Sequence, residues 1–193
     1  MIKERTNHSA GWTLAVSIWT FILAISLSLA SQTLLTRVKS LAFSFLILVL
    51  VVSLGIIFDL VGTAAAAAKK SPLNAKASRK IAGAREAVYL VQHAGKVANF
   101  CNDVVGDISG ILSGALAALI VIKIYMIWPR LSTAEIYMNI GLTALVASFT
   151  VGGKAFGKAL AIDKSTEIIM IAGRIIYGLQ KLPGLFFRGR RDR

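Results

Sequence analysis

Four stretches of this chain are apolar over close to the roughly 20 residues that a helix needs to cross a bilayer, and nothing else in the sequence restricts the fold as much. They run from about Trp12 to Leu35, Leu41 to Ala64, Val104 to Trp128 and Ile136 to Ala161. Hydrocarbon offers backbone N–H and C=O groups no partner, so segments of this kind satisfy their own as helices. Only 16% of the 193 residues are charged, against roughly 25% in soluble domains, and 56% are hydrophobic. The expectation is an all-α membrane protein with four transmembrane helices, a cytoplasmic helical hairpin and a C-terminal amphipathic juxtamembrane helix.

A net charge of +13 raises the question of a nucleic-acid partner, and the placement of the bases answers it. With the N terminus cytoplasmic, Lys3 and Arg5, seven bases between Lys69 and Lys96, and eight between Lys158 and Arg193 all fall inside. Arg37, Lys39, Lys123 and Arg130 fall outside, and Lys154 lies within a span. This is the positive-inside pattern, with both termini cytoplasmic in a plasma or bacterial inner membrane, and it requires no nucleic acid. Lys3 and Arg5 before an apolar run ending Ser28-Leu29-Ala30 also resemble a signal peptide. That run exceeds the usual signal core of about 7 to 15 residues, so a retained helix is expected.

Residues 69–99 are too polar to span. Ser71-Pro72 is a good helix start, and Ala77, Ile81, Ala84, Val88 and Val91 recur at helical spacing, with Gly95 as an expected stop. Beyond the last span, Ser165 is an expected cap for a helix whose apolar side is Ile168, Ile171, Ile175, Leu179 and Leu182 and which Pro183 ends. It is expected along the inner membrane surface. The tail from Leu185 to Arg193 joins an apolar anchor to Arg188, Arg190, Arg191 and Arg193, a pattern read equally well as a contact with anionic lipids or as a stop-transfer flank.

Charges inside the spans demand an explanation, because one at the bilayer centre costs roughly 2.5 to 3.5 kcal/mol even on a mild scale. Counting about 1.5 Å per residue brings Asp59, Asp103, Asp107 and Lys154 to a common depth near the inner leaflet. Asn99, Asp103 and Asp107 follow i, i+4, i+8 spacing on one expected helix face. One reading is a structural ion-pair network tying the helices together. The other is an oxygen-lined site for a hard cation such as Mg²⁺, with Asp103 and Asp107 as metal ligands and Asn102 and Ser109 as further oxygens. A proton relay through the same aspartates is a third. Gly106, Gly110 and Gly114 at four-residue spacing, and Gly153 and Gly157, are expected at close helix contacts within or between subunits. No catalytic constellation is visible: His8 and His93 sit in polar surroundings, and Cys101 is the only cysteine.

Three short stretches carry a family resemblance. Phe58-Asp59-Leu60-Val61-Gly62-Thr63-Ala64, Val105-Gly106-Asp107-Ile108-Ser109-Gly110 and Gly153-Lys154-Ala155-Phe156-Gly157-Lys158-Ala159-Leu160-Ala161 resemble, in order, three motifs in the transmembrane domain of the CNNM/CorB/CorC family of magnesium transport proteins. The order of parts is also similar, with residues 41–164 as the core, 1–40 as an N-terminal extra helix and outer loop, and 165–193 as the juxtamembrane helix and basic tail. The resemblance implies a homodimer related to Mg²⁺ or other divalent cation transport. The family's serine ligands are replaced here by Asp59 and Val61, its asparagines by Gly106 and Asp107, and its glutamate by Lys154. A diverged ion site in which Lys154 stands in for the ion is therefore expected, or a non-transporting membrane scaffold or regulator. The CBS domains that commonly follow in the family, and ATP-linked gating with them, are not expected.

Overall fold

A computed structural model describes residues 14, 17–30, 32–33, 40–129 and 135–181, and all regular structure among these is helical. In chain order the helices are α1 (Ser17–Ala30), α2 (Leu41–Ala67), α3 (Lys70–Ser78), α4 (Ala84–Gln92), α5 (Ala94–Ala98), a π-helical segment (Asn99–Val105), α6 (Gly106–Ile127), α7 (Glu135–Asp163) and α8 (Ser165–Lys181). Among the described residues three helical runs are long and apolar enough to cross a membrane: Leu41–Ala67, Ala94–Ile127 and Ile136–Asp163. The described part of α1 is apolar and has 14 residues, from Ser17 to Ala30. The remainder of the expected first span, and the tail beyond Lys181, lie outside the described residues.

The chain forms two compact units: Met1–Gly55 with Gly106–Val151, and Ile56–Val105 with Gly152–Arg193. The core of the first is Leu48, Leu112, Leu116, Ala117, Ile120 and Val146. Two of the polar side chains inside it have clear hydrogen-bond partners. Ser44, fully buried, accepts a hydrogen bond from Lys123 Nζ at 3.0 Å and donates to the Ser40 carbonyl at 3.2 Å. Thr150 Oγ1 donates to the Val146 carbonyl at 2.7 Å, a bond back along its own helix.

The second unit packs the α2 end, α3, α4, the α7 end and α8 around Ala64, Ala65, Leu73, Ala84, Ala87, Val91, Ala161, Ile169 and Met170. Its small residues permit close approach, closest where α4 meets α8. A Cβ on Gly173 would collide with the Gly83 carbonyl and lie 2.9 Å from the Ala87 nitrogen, so here backbone lies directly on backbone.

Several local expectations are revised. The single helical stretch expected from Ser71 to Gly95 is broken into α3 and α4 by a turn. Helix α3 begins at Lys70 with Lys69 as an N-cap that makes no side-chain cap bond; Ser71 and Pro72 lie inside the first turn, which tolerates a residue lacking N–H. Its C terminus is a Schellman motif, with Lys80 N–H donating to the Ala77 carbonyl at 2.9 Å and Ile81 N–H to the Lys76 carbonyl at 3.2 Å. Lys80 takes the left-handed position (φ 55°) that glycine normally fills. Gly83 (φ 80°) starts α4. Gly95 lies within α5, and α4 ends at Gln92 instead. Ser165 is the first residue of α8, one position inside the cap expected for it.

On α8 the stripe read from the sequence is largely the face left exposed, and a different face packs into the second unit. Ile169, Met170 and Gly173 are buried, whereas Ile171, Ile175 and Leu179 remain more than half exposed. The helix is apolar on two sides, and the side chosen for the core is the one bearing Gly173.

Candidate functional site

Asp59 is the most deeply buried charged side chain among the described residues, with 2% of its surface exposed. It lies on α2 within a candidate span, where a carboxylate needs compensation. The structure supplies Lys158 from α7, with Nζ 3.7 Å from Oδ1, and half of the lysine side chain remains exposed. That separation exceeds the 2.7 to 2.9 Å typical of a charge-assisted hydrogen bond, making this a loose ion pair. The other carboxylate oxygen, Oδ2, is enclosed and has no hydrogen-bond partner.

A second unmatched acceptor lies on the same helix face. Gly62 follows Asp59 by three residues, so the two positions are about 5 to 6 Å apart along one side of α2. A Cβ on Gly62 would strike the Asn102 carboxamide oxygen and come within 2.9 Å of Cys101 Cβ. Only glycine lets Asn102 lie this close to the α2 backbone. Asn102 Oδ1 is enclosed and, like Asp59 Oδ2, has no hydrogen-bond partner. Its own backbone is part of the π-helical segment Asn99–Val105, a distortion frequent at functional sites because the wide turn redirects side chains.

The other residues singled out in the sequence are placed differently. Asp103 is exposed and accepts a hydrogen bond from Asn99 Nδ2 at 2.7 Å, so the i, i+4 pairing exists but forms a surface contact. Asp107 is an exposed residue in the first turn of α6, in the first unit. Ser109 is buried in that same unit against Gly55, where an added Cβ would stand 2.7 Å from Ser109 Cβ. Lys154 is half-buried one turn before Lys158. Exposure therefore differs among the four charges counted to a common depth: Asp59 is buried, Lys154 is half-buried, and Asp103 and Asp107 are exposed. Among the described residues no three His, Cys, Asp or Glu side chains are grouped to hold a metal ion.

The glycines divide as well. A Cβ on Gly153 would collide with Ile56, and one on Gly157 would lie 3.7 Å from Ile56 and Leu60, so both are at contacts between α7 and α2. Gly106 is buried. Among the described residues, added Cβ atoms at Gly110 and Gly114 would meet nothing within 4 Å, in contrast to the tight packing expected there. Lys158, which pairs with Asp59, is not singled out by the sequence. It was counted among the inner-flank bases, and the signal that marks it is its place on α7 one turn beyond Lys154.

Comparison of the chain with protein-family models, curated proteins and solved structures finds no match to any of them.

Proposed function

We propose that this protein handles divalent cations in a membrane, with Asp59 and Asn102 supplying oxygen ligands and Lys158 competing with the cation for Asp59. The observation that carries the proposal is the pair of enclosed, unpartnered oxygens, Asp59 Oδ2 and Asn102 Oδ1. A buried acceptor without a partner costs free energy on the order of 1 to 3 kcal/mol, and a carboxylate with a carboxamide is a donor set suited to a hard cation that retains several waters, as Mg²⁺ does. The resemblance of residues 41–164 to a magnesium transport family points the same way. In this reading α1 belongs to a fourth span, both termini are cytoplasmic, α3 and α4 form the cytoplasmic hairpin, and Gly110 and Gly114 serve contacts between two copies.

A second reading is favoured by the Lys158–Asp59 contact. An ion pair joining α2 to α7 holds two spans together without any ligand, and the protein is then a membrane scaffold. Mg²⁺ flux into proteoliposomes separates the two. Flux in the unmodified protein that disappears in Asp59→Asn and falls in Asn102→Ala, with both variants folded, supports cation handling. No flux in the unmodified protein or in Lys158→Gln, with Asp59→Asn destabilised, supports the scaffold.

A further inference from the structure

A cleft of about 360 Å³ opens in the second unit, lined by Lys80, Ile81, Ala82, Gly83, Arg85, Glu86 and Tyr177. It lies where the turn after α3 and the start of α4 meet α8, in the part of the chain that joins the candidate spans: α3 begins three residues after α2 ends, α4 ends two residues before the span Ala94–Ile127, and α8 begins two residues after Asp163. Its volume is at the small end of ligand sites, which run from about 300 to 1,000 Å³. We propose that this cleft binds the phosphate-bearing headgroup of an anionic lipid.

Charge selects the ligand. Lys80 and Arg85 line the cleft, Lys76 and Arg79 lie on the adjoining end of α3, and Arg174 lies on α8 beside Gly83. Glu86 is the only opposing acid in the lining, and the only acid between residues 60 and 102. Clusters of this kind beside a membrane attract anionic lipids.

Membrane placement is carried by a separate feature. Ile171, Ile175 and Leu179 form an exposed apolar stripe on α8 at four-residue spacing, opposite the face that Ile169, Met170 and Gly173 bury. The helix continues from a candidate span after one intervening residue, Lys164, so this stripe is positioned to enter the acyl layer. Arg174 lies on the flank between stripe and buried face, beside the cleft that Tyr177 lines from the buried side, which brings the cleft to headgroup level.

Lys80 supplies further support. Its left-handed backbone disfavours every residue with a Cβ, and glycine would relieve it. A side chain held there against local preference, at the lip of a basic cleft, is what a charge-binding role requires.

The test uses the full chain in detergent micelles and measures binding by calorimetry with dioctanoyl phosphatidylglycerol, dioctanoyl phosphatidylcholine and sodium phosphate. The anionic lipid should bind at least about tenfold more tightly than either other probe, and Lys80→Gly and Arg85→Gln should each weaken it about fivefold. Lys80→Gly should at the same time raise the melting temperature, separating loss of binding from loss of fold. Glu86→Gln should tighten binding, and the exposed pair Lys69→Gln with Lys70→Gln should change it less than about twofold. Equal binding of phosphatidylcholine, equal binding of phosphate alone, or an equal loss in the Lys69 and Lys70 variant would each overturn the proposal; the second would make free phosphate the ligand.

Discussion

Two glycines five residues apart on α8 should respond to the same substitution with opposite signs. At Gly173 an added methyl meets the Gly83 carbonyl, the Ala87 nitrogen at 2.9 Å and Ala87 Cβ at 3.0 Å. Two of these are backbone atoms and cannot rotate away, so the two helices must separate; overpacking of this kind costs about 2 to 3 kcal/mol. Replacing glycine by alanine inside a helix returns about 1 kcal/mol. Gly173→Ala is therefore expected to destabilise the second unit by about 1 to 2 kcal/mol. At Gly178 the same methyl meets nothing within 4 Å, and only the propensity gain of about 1 kcal/mol remains. The gap of about 2 to 3 kcal/mol corresponds to roughly 5 to 10 °C in melting temperature for a chain of this size. Thermal unfolding of both purified variants in one detergent, followed by far-ultraviolet circular dichroism, reads it directly. If the two melt within a degree or two of each other, the backbone contact between α4 and α8 is not what holds these helices, and the account of the second unit is wrong.

Other substitutions test other contacts. Ile169→Ala should cost about 2 to 5 kcal/mol, while Ile171→Ala should change stability by less than about 0.5 kcal/mol; denaturant titration compares them, and the reverse order would refute this assignment of the packed face. Lys158→Gln should destabilise by about 1 to 2 kcal/mol, less than a fully buried pair because the lysine is half in solvent, and adding Asp59→Asn should recover most of that loss. A double-mutant cycle with no coupling would dismiss the ion pair. Ser44→Ala removes one hydrogen bond to Lys123 in the first unit and should cost about 0.5 to 1.5 kcal/mol in the same melting assay; an unchanged melting temperature would mean that this bond does not contribute to stability.

The spans were legible because long apolar runs have few ways to fold, and Leu41–Ala67 and Ile136–Asp163 begin where composition changes. The finer structure was less so. Lys80 hides the break between α3 and α4, because a lysine gives no hint of a left-handed turn where a glycine would have done so. On α8, apolar residues occur on two faces, one for protein and one left exposed, and periodicity alone does not say which is which. Asp59 stood out as a charge within an apolar run. Its partner Lys158 did not, since a base near the end of a span is already explained by topology. The π-helical segment had no sequence signal at all, and with it the position of Asn102 against Gly62 stayed out of reach.

The crossing of Gly83 over Gly173 has a mechanical consequence. Helix α4 leads toward one candidate span through α5, and α8 continues from another, so the crossing ties two spans at their ends. A contact made through side chains can absorb motion by changing rotamers, but one made of main chain has no such slack. Any displacement of α4 is therefore passed to α8 as a displacement of the whole helix.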